Sequence, residues 1–178
     1  MTGKPTFEAI VVAHGHTVLR VCRAVVAPAD ADDAWSDTFL SAMRAYPDLP
    51  ADANVEAWLV TIAHRKAIDI TRRATRAAVP VRTATDSPAS EWPQTDGSDR
   101  IGDVDELVVI AALRRLPTRQ RLAVAYHHVG GLPHAQVAEI IGGTAAAARR
   151  AAADGIANLR RSHRANAPQN GSIDEHRT

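Results

Sequence analysis

Leu132-Pro133-His134-Ala135-Gln136-Val137-Ala138-Glu139-Ile140-Ile141-Gly142-Gly143-Thr144-Ala145-Ala146-Ala147-Ala148-Arg149-Arg150 decides how the C-terminal half is built. Pro133 suits the first turn of a helix, and Val137, Ile140 and Ile141 give that helix one inward face before Gly142-Gly143 stops it. Thr144 is a natural N-cap for a second helix that runs to about His163 and is anchored by Ile156 and Leu159. A short helix, a glycine turn and a second helix make a helix-turn-helix candidate, with Ala138 where the two helices must cross closely. An ordinary αα-hairpin has the same spacing. Arg149 and Arg150, one turn into the second helix, lie near where recognition-helix side chains reach bases or phosphates, and Arg160 and Arg161 follow at its end.

Working upstream, Gly130-Gly131 forces a turn, and Thr118 to Val129 reads as one helix. Val104, Leu107, Val108 and Ala111 begin another that ends near Leu116-Pro117. Residues 78–103 lack helical periodicity, contain Pro80, Pro88 and Pro93 among Ser, Thr and Asp, and read as a flexible acidic linker. In the N-terminal half, Phe7, Ile10, Val11, Val18, Val21, Cys22 and Val25 form one helical stripe closed by Pro28. Asp30 is a candidate N-cap for a second helix with the stripe Trp35, Phe39, Ala42, Met43 and Tyr46. Asp33 and Asp37 lie on its other side. Pro47 and Pro50 bracket a short loop, and Asn54 can cap a third helix. That helix is apolar at Val55, Trp58, Leu59 and Ile62 and then strongly basic through Arg76.

The 178 residues contain 35 alanines and only 4% aromatic residues, which favours small-residue helix packing over a β-sandwich. The expected fold class is all-α, with two small helical domains joined by a flexible acidic linker, the C-terminal one containing the helix-turn-helix. The boundaries are 5–77, a linker at 78–103, 104–163, and a disordered tail at 164–178.

Net charge is +1, so the molecule is no polycation, but the charge alternates along the chain. Residues 28–56 carry seven acids against Arg44, a local net of −6; residues 64–82 reach +5, residues 83–106 return to −6, and residues 107–164 give +7. Such alternation implies two kinds of partner. Arg65, Asp69, Arg72, Arg73 and Arg76 fall on one helical face that can track a phosphate backbone, although Arg65–Asp69 and Asp69–Arg73 also have the spacing of simple surface ion pairs. Trp58 reads as core, although aromatic rings beside basic residues also stack on unpaired bases. His64 abuts the stripe and can touch phosphate.

The single cysteine, Cys22, excludes an internal disulfide and any multi-thiolate zinc site, and reads as a small core residue. His14 and His16 diverge on their helix, as do adjacent His127 and His128, so no metal is expected. No nucleophile–base arrangement or phosphate-cradling glycine loop stands out, so neither a cofactor nor enzyme activity is expected. The N-terminus lacks a signal-peptide pattern, and the longest apolar run, Leu107 to Leu113, is far too short to span a bilayer. A cytoplasmic protein with no membrane partner is expected.

The order of these features resembles the extracytoplasmic-function (ECF) sigma factors of bacterial RNA polymerase over nearly the whole chain. Asp30-Ala31-Asp32-Asp33-Ala34-Trp35-Ser36-Asp37-Thr38-Phe39-Leu40 is similar to the family's D-A-E-D-x-x-Q-E-T-F-L segment. Ala57-Trp58-Leu59-Val60-Thr61-Ile62-Ala63-His64-Arg65-Lys66-Ala67-Ile68-Asp69 resembles its A-W-L-x-x-I-A-x-N-x-A-x-D helix, with Arg65 in place of the frequent Asn. Leu116-Pro117-Thr118-Arg119-Gln120-Arg121 resembles L-P-x-R-x-R/E, and Leu132 to Gly142 resembles L-S-x-x-E-I-A-E-I-L-G. The recognition helix departs from G-x-S-x-G-T-V-K-S-R: Arg149 stands at the Lys position and Ala151 replaces the usual Arg.

The resemblance implies a transcription initiation factor whose partners are RNA polymerase core, through the beta-prime clamp helices and beta flap, promoter DNA, and an anti-sigma factor where one exists. Asp30, Asp33, Asp37 and Phe39 would dock on the clamp helices. Trp58, His64, Arg65, Lys66, Arg72, Arg73 and Arg76 would melt and read the minus-ten element, with the loop Tyr46 to Asn54 capturing an unstacked base. Thr144, Arg149 and Arg150 would bind the minus-35 region, mainly through phosphates. Two rival readings are a stand-alone helix-turn-helix regulator that binds duplex operator DNA, and a helical enzyme using His and Asp.

Overall fold

The computed structural model describes residues 4–77 and 104–166, and every element among them is helical. Helix α1 spans Phe7–Val25, α2 Ala31–Ala45, α3 Val55–Ala77, α4 Val104–Arg114, α5 Thr118–Val124, α6 His134–Ile141 and α7 Ala145–Asn166. The expected linker, 78–103, and the tail beyond 166 lie outside the described residues, while α7 continues three residues past His163.

Caps read from the sequence set several boundaries. Asn54 Oδ1 accepts from the Ala57 amide at 3.0 Å, and Thr144 Oγ1 accepts from the Ala147 amide at 3.2 Å. Asp30 departs from its expected role: it precedes α2 but makes no side-chain cap, because Pro28–Asp30 is already a 3₁₀ turn with helical backbone at Asp30. Its carboxylate is thereby left for other partners. The segment Thr118 to Val129 is not one α-helix. Ala125–Val129 widens into a π turn, closed by the Gly130 amide donating to the Ala125 carbonyl at 2.8 Å.

The N-terminal group, α1 to α3, packs around Ile10, Val18, Cys22, Ala34, Phe39, Leu59 and Ala63. Burial, with a smaller contribution from Asp32, pushes the Cys22 thiol up to about 12, so it stays protonated and behaves as a small apolar group. Trp35 lies across α1, its indole N–H donating to the Gly15 carbonyl at 2.9 Å. In the C-terminal group, α5 crosses α7 at Gly155, where a Cβ would stand 2.6 Å from Val124 Cγ2. Ala148, Ala151 and Ala152 of α7 are fully or nearly buried in the same core cluster as Val124. These three alanines are therefore packing residues, which also explains why an alanine occupies position 151.

Helix α4 turns only part of its apolar surface inward. Leu107 and Val108 face outward at 50% and 60% exposure, whereas Ile110 and Leu113 are buried. The helix is apolar almost all round, so periodicity could not choose its inner face. The two helical groups also share a core: Val21 and Ala24 of α1 and Val60 of α3 are buried in the same cluster as Leu113, Tyr126, Leu132 and Val137.

Candidate nucleic-acid and polymerase interfaces

On α2, Asp33 is exposed and Asp30 and Asp37 are half-buried. All three line a groove of about 450 Å³ with Ser36, Ile70, Ala74 and Arg73. Alternation on the helix explains this placement: Ala31, Ala34, Thr38 and Ala42 turn into the core, and the acids between them turn away. Phe39 is placed otherwise than expected: it is 6% exposed, its ring packed against Trp35 and edge-on to Phe7, so it holds α2 on the core.

On α3, Arg65, Asp69, Arg72, Arg73 and Arg76 are all exposed, and Lys66 is half-buried. The ion pairs found among the described residues join His16 and Arg20 to Glu106; neither pair expected within the stripe is among them. The stripe's positive charge therefore stays available, except that Arg73 leans into the acidic groove. Trp58 is half-buried against the Tyr46 ring, 6.4 Å between centroids, at the base of the loop after α2. That loop is braced by Lys4, whose ammonium donates to the carbonyls of Tyr46, Pro47 and Leu49, the last at 2.7 Å, while the Tyr46 hydroxyl donates to the Pro5 carbonyl. No local sequence signal marks Lys4, because its partners lie more than 40 residues away.

His64 is placed otherwise than expected. Its Nδ1 lies 2.6 Å from the Tyr126 hydroxyl of the C-terminal group, with the rings edge to face. Burial and, less strongly, Arg65 hold the imidazole below its ordinary value, and burial raises the Tyr126 phenol. A neutral ring thus meets a protonated phenol. Next to this contact is an open cleft of about 360 Å³, lined from α3 by Trp58, Thr61, His64 and Arg65 and from α6 by Gln136, Glu139 and Ile140.

In the helix-turn-helix, Gly142 (φ +80°) and Gly143 (φ +100°) adopt backbone conformations that side chains disfavour. Arg119 clamps this turn, donating from Nη2 to the Gly142 carbonyl at 2.9 Å, and its guanidinium fills the space a Cβ on Gly143 would need. Thr144, Arg149 and Arg150 are exposed on the outer side of α7. His127 and His128 do not diverge: the π turn brings their ring centroids to 4.6 Å, and His127 stacks on His134 at 3.8 Å. His127 Nδ1–H donates to the Leu132 carbonyl at 2.7 Å, and burial with neighbouring His127 holds His128 and His134 below the usual imidazole range. Among the described residues no three His, Cys, Asp or Glu are arranged to hold a metal ion.

Residues 10–77 match the family described as Sigma-70 region 2, and residues 106–159 match Sigma-70 region 4. The chain belongs to the Sigma-70 family, whose region 2 and region 4 models it matches one after the other. This sigma factor is 35% identical over 114 residues to the ECF RNA polymerase sigma factor SigM of Mycobacterium tuberculosis, a match covering 64% of this chain and 54% of SigM. The chain thus spans about half the length of the SigM relatives it matches. It is 27% identical over 144 residues to SigK of Mycolicibacterium vanbaalenii, covering 79% of this chain and 72% of SigK. Its fold is similar to CnrH, solved in complex with the cytosolic domain of CnrY, at TM-score 0.61 and 23% identity over 90% of this chain and 88% of that one. It is also similar to RpoE of Bartonella quintana, solved with the anti-sigma factor NepR, at TM-score 0.64 and 19% identity over 89% and 96% of the two chains. Among the described residues, no helix of the sigma factor is long and apolar enough to cross a membrane.

Proposed function

We propose that this sigma factor initiates transcription by binding RNA polymerase core and directing it to specific promoters, melting the minus-ten element. Asp30, Asp33 and Asp37 dock on the beta-prime clamp helices. Arg65, Lys66, Arg72, Arg73 and Arg76, with Trp58 and the Lys4-braced loop, hold the melted minus-ten strand. Flipping a base costs a few kcal/mol, which stacking and basic contacts can offset. Thr144, Arg149 and Arg150 bind the minus-35 duplex, and the C-terminal domain, 104–163, meets the beta flap. The protein works by binding, without a catalytic centre, in the cytoplasm, and an anti-sigma factor, as found with RpoE of Bartonella quintana, would regulate it.

What supports this reading is that the two family matches fall on separate helical groups, each carrying one of the two charge patterns such a factor needs: an acidic face beside a basic stripe in the first, an exposed arginine pair on a helix-turn-helix in the second. The duplex-only regulator explains the second group and leaves the first without a role. Replacing Asp33→Arg and Asp37→Arg tests the docking face. The double variant keeps its helical content, since neither residue is in the core, and its affinity for core polymerase falls at least tenfold in a titration, because like charges face a basic surface. Unchanged affinity would remove α2 from the interface.

A further inference from the structure

His127, His128 and His134 of region 4 have no part in the assignments above, yet they form one cluster beside the recognition helix. Neighbours on a regular α-helix diverge by about 100°. The π turn at Ala125–Val129 removes that divergence, bringing the rings of His127 and His128 to 4.6 Å, and His134, at the start of α6, stacks on His127 at 3.8 Å. His127 spends its Nδ1–H on the Leu132 carbonyl, 2.7 Å away, so Nε2 is its titrating nitrogen. His128 is exposed, and the other two rings are half-buried.

The free cluster resists charge. Two stacked imidazoles at 3.8 Å repel strongly once both are protonated. His134 Nδ1 is buried without a partner, so a charged ring there would hold an N–H that nothing accepts. Burial, then His127, Arg149 and His128, keep His134 below the usual imidazole range, and burial and then His127 do the same for His128. The carboxylates of the neighbouring elements, Glu56 of α3 against Gly131 and Glu139 of α6 in the α3–α6 cleft, make no ion pair with these rings. Arg149 is thus the link between the cluster and the outer side of α7. A DNA phosphate drawn to Arg149 offsets its repulsion and attracts a positive charge on the ring it faces.

We propose that the His127–His128–His134 cluster is a proton-uptake site at the edge of the minus-35 interface: promoter duplex bound at Arg149 draws a proton from solvent onto the cluster, and the grip of region 4 tightens on acidification. The proton belongs to the three rings as a unit. The proposal rests on the assignment of Arg149 to promoter DNA. The sign follows from linkage: the bound form holds more protons than the free form, so affinity rises as pH falls and levels off below the free cluster's own range, which lies under about 6.5.

The test is a titration of the sigma factor–core complex with a duplex carrying the minus-35 element alone, at about pH 8 and about pH 6, with helical content checked at both. For the unsubstituted protein, affinity rises about threefold, the gain for a rise of about one unit in the cluster's pKa, and the slope of log affinity against log salt steepens by up to about 0.9 for the added cation. His134→Gln removes the ring that faces Arg149 and leaves α6 a polar first residue. Its affinity matches the unsubstituted protein at the higher pH and stays flat on acidification, with its salt slope unchanged. Proton effects on the polymerase occur with both proteins and cancel in the comparison, and a histidine with only a structural role would not move the salt slope. Identical pH profiles for the two proteins, or affinity that falls on acidification, overturn the proposal. Duplex binding that Arg149→Ala with Arg150→Ala leaves unchanged would overturn the assignment of Arg149 to promoter DNA and the proposal with it. Binding that needs those arginines yet ignores pH overturns the proposal alone.

Discussion

Replacing Arg149→Ala and Arg150→Ala probes how region 4 grips DNA. Both side chains are exposed on α7, while the helix is held by Ala148, Ala151 and Ala152 on its inner side and capped by Thr144. Alanine is a better helix former than arginine, so stability should move by less than about 0.5 kcal/mol. Each phosphate contact contributes about 0.9 to the slope of log affinity against log salt, so losing two lowers the slope by about 1.8. Between about 50 and 200 mM salt, the unsubstituted protein should then lose about twelvefold more affinity than the double variant. The assay is a titration of the sigma factor–core complex with labelled promoter duplexes carrying minus-35 variants, repeated across that salt range. The loss should be nearly uniform across the variants, because a phosphate contact carries no sequence information. If instead discrimination between promoters collapsed by about 1–3 kcal/mol per altered base pair, the arginines would be base readers and the reasoning would be refuted.

Three further outcomes follow from the packing and the charge layout. Gly155→Ala should lower stability by about 1–2 kcal/mol in chemical denaturation, since the added methyl would stand 2.6 Å from Val124 Cγ2, on a short buried side chain that cannot swing away; a gain, as expected from helix propensity alone, would show that the α5–α7 seam is looser. Arg72→Ala with Arg76→Ala should weaken promoter melting, read by permanganate footprinting, without loss of core binding, whereas Arg73→Ala should alter core binding as well, because Arg73 lines the acidic groove; normal melting at elevated salt would make the stripe a solvated face. Folding stability should also fall as pH drops below about 6.5: His64, facing Tyr126 and sharing its cleft with Arg65 and Glu139, has its imidazole held low in the folded chain, so the unfolded chain takes up the proton more readily, with no change above that range. The pH profile of stability for His64→Asn, read by chemical denaturation, should lack this component, and identical profiles for the two proteins would exclude it.

The helices were legible because their buried faces repeat at three and four residues and their ends carry strong punctuation at Pro28, Asn54, Gly142 and Thr144. Helix α4 shows no inner face in the sequence because nearly every residue in it is apolar. The π turn at Ala125–Val129 was hidden because a widened turn keeps helical spacing for its neighbours and depends on Gly130 and the buried Tyr126. The acidic face of α2 and the basic stripe of α3 could be read from charge at helical offsets, while Phe39, set by its motif beside the acids, belongs to the core. Nothing local in the sequence distinguishes Val60, which packs against the other helical group, from the residues of the α3 stripe. Long-range partners such as Lys4 with the loop, Arg119 with Gly142 and His64 with Tyr126 leave no periodic trace at all.

The central claim is that this chain turns core polymerase into a promoter-specific enzyme, and run-off transcription with purified core tests it most directly. Core alone should give no discrete product. Core with the sigma factor should give transcripts starting at fixed positions on a subset of templates, and the Asp33→Arg, Asp37→Arg variant should abolish them. Absence of any specific transcript, together with tight binding of duplex DNA by the isolated chain, would contradict the claim and point to a regulator that acts without polymerase.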